Sequence, residues 1–243
     1  MKNFLLIPLA LIGAASLSSA AITLTNSLSA ESAGTANGAN VEITVTGFDL
    51  TGGNTVAVFF TAENSSAFTA TFDGVAMNVV QAFDGDRFLA GVAYLINPTA
   101  SVGDIVINAT NSGTARLSNG YSVISLADVA SLAGSAIRTS DGTLSYTTAL
   151  DGGYVLGASV NNSFDGSTLP SVSGRPSAFF NQAVDGNATV LHARGDVPTA
   201  GAYSDTYGGG IFAAATVAFN PVPEPSAALL SALGFLALLR RRR

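Results

Sequence analysis

Between about residues 21 and 221 apolar and polar side chains alternate in short runs, the period of a half-buried strand. In residues 41–48, Val41, Ile43 and Val45 fall on one face, and Glu42, Thr44 and Thr46 on the other. Further runs rich in β-branched and aromatic residues predict strands at 55–61, 68–72, 76–82, 88–96, 104–109 and 121–127. The second half adds 143–147, 154–160, 189–192 and 211–219. Asp-Gly at 73–74, 84–85, 141–142, 151–152, 165–166 and 185–186, and Asn-Gly at 37–38 and 119–120, favour the positive φ of tight hairpins. Turns at such short intervals predict an all-β fold, an antiparallel β-sandwich of jelly-roll or immunoglobulin-like kind. Residues 126–132 predict a short helical turn, while 169–176 and 197–210, rich in Gly, Pro and Ser, predict long loops.

The two ends break this pattern. Lys2, an apolar core over residues 4–17 and the small residues Ser18, Ser19, Ala20 and Ala21 read as a secretory signal peptide over 1–20, cut after Ala20 or Ala21. At the other end Pro221, Pro223 and Pro225 stop any regular element, because proline fixes φ and has no N–H to donate. An apolar run over 226–239 follows, predicting a short hydrophobic helix, and Arg240, Arg241, Arg242 and Arg243 close the sequence. Arginine clusters stay on the cytoplasmic side of a membrane, so the middle of the chain, 21–221, is expected to face outward. Fourteen residues rise about 21 Å as a helix, short of a ~30 Å hydrocarbon core. The segment is therefore expected either to anchor the chain as a short transmembrane span, with snorkelling arginines and a locally thinned bilayer, or to be recognised and then cut.

The tail over 222–243, with Val222-Pro223-Glu224-Pro225, its hydrophobic segment and its terminal arginines, resembles the PEP-CTERM sorting signal of Gram-negative bacteria that make extracellular polysaccharide. That resemblance implies recognition by an exosortase in the inner membrane and delivery to the cell surface or extracellular matrix. It also implies that Pro223, Glu224 and Pro225 are read by the sorting enzyme. A second resemblance covers roughly 41–160. Phe72-Asp-Gly-Val-Ala-Met77, Arg87-Phe-Leu-Ala-Gly-Val-Ala-Tyr-Leu-Ile-Asn-Pro98 and Asp104-Ile-Val-Ile-Asn108 look like a β-sandwich module of large bacterial surface proteins. It implies a sandwich fold and roles in adhesion and surface architecture, and it carries no functional residue.

Charge narrows the partners. Residues 21–221 hold fifteen acids against five arginines, a net charge of −10, which repels nucleic acid and anionic lipid. With no cysteine, thiolate metal sites and cysteine nucleophiles are excluded, and about 200 residues bury enough apolar surface to stand without disulfides.

Candidate chemistry is sparse. His192 is the only histidine, so a Ser-His-Asp arrangement has to use it, yet its strand-like context predicts a half-exposed histidine near the domain edge. Asp84 and Asp86 place two oxygen ligands around one turn, a candidate calcium site that Asp49, Asp73 or Glu63 can join in the fold. A glycosidase carboxylate pair is disfavoured, because the chain has no Trp and only six Tyr to build a sugar platform. Asn-x-Ser/Thr at Asn64, Asn108, Asn161 and Asn187 reflects composition. The adjacent pairs Phe59-Phe60 and Phe179-Phe180 predict one ring of each pair pointing outward or into a loop contact. A modest sugar-binding surface is one reading, and edge burial or packing under a loop is the simpler one. The sequence thus predicts an exported, non-enzymatic surface or matrix protein associated with polysaccharide, with a carbohydrate-binding module, calcium-dependent or not, as the alternative.

Overall fold

The computed structural model describes residues 19–32, 38–113, 115, 117–162, 169–184 and 188–224. The strands in the first half are β1 Thr23–Ser32, β2 Val41–Asp49, β3 Thr55–Glu63, β4 Ser65–Phe72, β5 Val75–Ala76, β6 Asn78–Phe83, β7 Phe88–Ile96, β8 Val102–Asn111 and β9 Ser118–Ala127. Those in the second are β10 Val129–Arg138, β11 Gly142–Thr148, β12 Gly153–Asn161, β13 Ser171–Ser173, β14 Ser177–Val184, β15 Ala188–Val197, β16 Gly201–Gly208 and β17 Ile211–Pro221. The pairs among them are antiparallel.

They form four sheets, ordered β2-β8-β4-β5, β1-β9-β3-β7-β6, β10-β17-β12-β15-β14 and β11-β16-β13. Three apolar layers stack these sheets in that order. Phe60, Phe68, Phe72, Ile105 and Ile107 fill the space between the first two. Phe59, Val92, Leu156, Val190 and Phe219 join the two five-stranded sheets. Leu144 and Tyr207, with Tyr146 beside them, pack the last sheet onto the third. Both middle sheets are therefore covered on two faces. Every residue of β3 and of β12 is buried, which replaces alternation with a continuous apolar run.

The two halves share one topology. Replacing β1, β2 and β3 by β10, β11 and β12, β4 by β13, and β6 to β9 by β14 to β17 converts the first pair of sheets into the second. The described residues thus form two sandwiches of like construction, stacked through their five-stranded sheets. The sequence carries a trace of this. Gln81-Ala-Phe-Asp-Gly85 returns as Gln182-Ala-Val-Asp-Gly186, and Pro98-Thr-Ala100 as Pro198-Thr-Ala200. The 41–160 module resemblance fits in kind, while its span crosses the boundary between the halves at Asp128.

Asp128 alone connects β9 to β10, with φ +63°, and Asn64 alone connects β3 to β4, with φ +59°. Asp and Asn tolerate this left-handed region better than other side chains with a Cβ. Asn54 braces the Asp128 corner: its Nδ2 donates to Val129 O at 2.7 Å, and its Oδ1 accepts from Val129 N at 3.0 Å.

Several sequence expectations change here. Apart from the connector Asp128, residues 126–132 belong to β9 and β10, because pairing with β1 and β3 on one side and with β17 on the other captures a short apolar run that helix propensity alone does not hold. The segment read as a loop at 197–210 contains β16, and 169–176 contains β13; these Ser/Thr/Tyr-rich strands cover a core with only every second residue. Asn119-Gly120 lies inside β9, opposite Ala62 and Thr61, where Val190 and Phe180 crowd Gly120. Asp73-Gly74 makes the expected tight turn, with φ of +48° and +77°.

Candidate functional site

The chain enters and leaves the fold at one place. Ala20 N donates to Val222 O at 3.2 Å, Ser19 pairs with Pro223 in an isolated bridge, and Val222 N donates to Asp128 O at 2.8 Å. Pro221 is buried at the end of β17, and Val222, Pro223 and Glu224 are exposed. Two of the residues expected to be read by a sorting enzyme, Pro223 and Glu224, therefore stand at the rim where β17 ends. Pro225, Arg240, Arg241, Arg242 and Arg243, the helix expected over 226–239 and nearly all of the expected signal peptide lie outside the described residues. Among the described residues no helix is long and apolar enough to cross a membrane.

The Asp84 turn is built as a cap. Asp84 Oδ1 accepts from the backbone N–H groups of Asp86, Arg87 and Phe88, each at 2.9 Å. Two of the acids expected to join it are engaged elsewhere. Asp49 Oδ1 accepts from Thr51 N at 2.7 Å, and Glu63 pairs with Arg87 at 3.2 Å. Among the described residues no three His, Cys, Asp or Glu side chains gather as a metal-binding group. Asp84→Ala is expected to cost about 1–2 kcal/mol, since three N–H groups lose their acceptor. Asp86→Ala is expected to stay within about 0.5 kcal/mol. Urea unfolding midpoints of the two variants test this, and equal losses would contradict the capping role.

His192 stands in the layer between the two sandwiches and is fully buried. Its Nδ1 lies 2.7 Å from Ser122 Oγ and its Nε2 3.1 Å from Thr61 Oγ1, and Ser122 Oγ lies 2.8 Å from Ser29 Oγ. The ring is stacked between Phe59 and Phe180, with centroids at 5.3 and 5.0 Å. Burial lowers its pKa from 6.5 to about 3, so the ring is neutral at ordinary pH. The expectation of a half-exposed histidine at the domain edge is overturned, because the first sandwich closes over the face of β15 that carries it. A serine does meet the histidine, but both are sealed beneath a sheet and no carboxylate is among the ring's hydrogen-bond partners.

For the aromatic pairs the structure favours burial over an outward sugar-binding ring. Phe59 and Phe60 are both buried, one in each layer beside β3. A register shift in β14 between Ala178 and Phe180 brings both Phe179 and Phe180 toward His192. Arg194 covers the Phe179 ring at 4.6 Å. Neither pair presents a free sugar platform.

Asp205 is the other buried acid that sequence inspection passed over. Burial raises its pKa, against the opposing pull of the Arg175 backbone N–H, at 3.0 Å from Oδ1, the Tyr146 hydroxyl and the Arg175 charge. A Tyr-Ser-Asp-Thr-Tyr run gives no hint of this, because burial of Asp205 depends on β16 packing inward at every second residue.

The outermost sheet faces are polar. On the β11-β16-β13 sheet, Thr143, Ser145, Thr147, Ser171, Ser173, Ser204 and Thr206 are exposed, and no charged side chain interrupts them. Thr143 and Thr206 pair directly, with Oγ1 atoms 3.2 Å apart. On the opposite outer face Thr44, Thr69, Asn108 and Thr110 are joined by Glu42 and Asp104.

Comparison with known proteins bears on the tail. Residues 221–243 match the PEP-CTERM protein-sorting motif, which marks the chain as an exported protein sorted by an exosortase. No curated protein matches the chain. Among solved structures, the STIV MCP overlaps 88% of this chain and 100% of its own at 11% identity and a TM-score of 0.25. The PBSX exported protein XepA overlaps 82% and 86% at 8% identity and a TM-score of 0.21. Scores this low carry no inference, and the sandwich assignment stands on the strand pairing and layers above.

Proposed function

We propose that residues 21–221 form a non-enzymatic structural and adhesive scaffold, released from its export signal and delivered by its tail to the cell surface or matrix among extracellular polysaccharide. The observation that carries this reading is the uncharged hydroxyl face of the β11-β16-β13 sheet. Side chains repeat about every 6.7 Å along a strand and about 4.8 Å across strands, so the face offers a flat grid of donors and acceptors. Hydroxyls exchange hydrogen bonds with sugar hydroxyls without the desolvation cost that a buried charge carries. The four-layer stack behind that grid keeps it rigid, and the net charge of −10 keeps the rest of the surface soluble.

The test is migration of the exported protein through gels cast with and without the host's extracellular polysaccharide. Retardation by the polysaccharide is the expected result, reduced by Ser204→Glu, which places a charge within the grid. Equal mobility in both gels would overturn the reading.

A further inference from the structure

Ala21 lies at a cavity of about 360 Å³ that Ser19, Asp151, Gly152, Asp196 and Pro198 also line. Gly152 adopts φ +80°, and a Cβ there would sit 3.1 Å from Ala21 Cα and 3.5 Å from Ala21 N, so the chain packs directly on this turn. Ile22 N donates to Gly152 O at 3.0 Å and holds the next residue in place. The turn itself is tied from behind, with Gly152 N donating to Pro198 O at 3.2 Å and Ala200 N to Asp151 Oδ1 at 2.6 Å. In front, the Ser19 hydroxyl donates to the Asp151 carbonyl.

We propose that cleavage after Ala20 creates an α-ammonium at Ala21 that seats in this cavity between the carboxylates of Asp151 and Asp196, fastening the front of the fold. The inference rests on the reading of residues 1–20 as a removable signal. In the cleavage, catalysed by a signal peptidase of the host, water adds across the Ala20–Ala21 peptide bond. Ala20 departs with the carboxylate, and Ala21 keeps the nitrogen as an ammonium.

The departing segment takes the Ser19 hydroxyl from the Asp151 carbonyl. The ammonium brings three donors in its place, one for that carbonyl and two for carboxylate oxygens. Two acids beside a cation favour its charged form. Cleavage also removes Ala20 N from Val222 O and Ser19 from Pro223. The bond from Val222 N to Asp128 O is untouched by the cut.

The exported full chain, purified from its host, is first sequenced from its N-terminus and then treated with acetic anhydride at pH 7. The expected result is an N-terminal Ala21 whose amine is acetylated about 10-fold more slowly than in the Asp151→Asn/Asp196→Asn variant, one unit of raised pKa. High salt is expected to bring the unaltered protein toward the variant's rate, a comparison that needs no substitution. An Ala21 amine reacting at the same rate in both proteins and at all salt concentrations overturns the pocket and leaves the export reading intact. An uncut chain, or one beginning at another residue, overturns the inference at its premise.

Discussion

Lowering the pH from 7 to 4.5 is expected to remove about 2–3 kcal/mol of folding stability through His192 alone. Its folded pKa of about 3 lies below its unfolded 6.5, and burial is the cause. A base whose folded pKa is depressed binds its proton more readily in the unfolded chain. The contribution of His192 is therefore fully present above pH 6.5, is lost progressively as pH falls from 6.5 toward 3, and is constant below that. Each unit in that window costs about 1.4 kcal/mol. Asp205 works in the opposite sense. Its raised pKa adds stability on acidification, so the unmodified protein alone does not isolate the histidine. Urea unfolding of the parent and of His192→Gln across pH 4–7.5 separates the two. The variant is expected to be weaker at pH 7 and to lack the histidine's slope, whereas parallel profiles would rule out a neutral, sealed His192.

Gly157→Ala is expected to cost about 3 kcal/mol or more. The added Cβ would sit 1.8 Å from the Tyr207 hydroxyl oxygen and 3.0 Å from its Cζ. Tyr207 is fully buried and its hydroxyl lies 2.9 Å from Thr216 Oγ1, so the ring has little room to retreat. Tyr207→Phe removes the clashing atom and leaves Thr216 without that partner, a loss of about 1 kcal/mol. The double variant is expected to lose less than the sum of the two single losses by about 1–3 kcal/mol, the signature of a shared contact. Additive losses in urea midpoints would show that the third and fourth sheets do not meet at this point.

The strands legible in the sequence are those that bury one or both faces behind β-branched and aromatic residues. β7 was readable to the residue, and β2, β3, β12 and β17 to within two. Those missed carry another signal. β1 is a Ser/Thr/Asn-rich edge strand, and β10 contains Ala and Leu spacings that suit a helical turn equally well. β16 uses Tyr203, Asp205 and Tyr207 as its inward set, so its polarity resembles that of a loop. Periodicity also failed at His192. A fully buried strand and a half-buried one differ only in what lies above them, and that cover comes from the other half of the chain. The repeated Gln-Ala-x-Asp-Gly and Pro-Thr-Ala segments are the one local clue that two similar sandwiches were present to stack. The sorting tail was legible because its recognition depends on composition and order along the chain, without any tertiary partner.

β17 ends at the residue where the sorting tail begins, and it is not an edge strand. β10 lies on one side of it and β12 on the other, each paired along most of its length. Tension applied through the tail therefore loads two ladders at once in shear, and cannot peel the strand away one bond at a time. A domain tethered from this end resists drag at the strand most deeply held by its neighbours, and its first mechanical failure is expected elsewhere, at the edges.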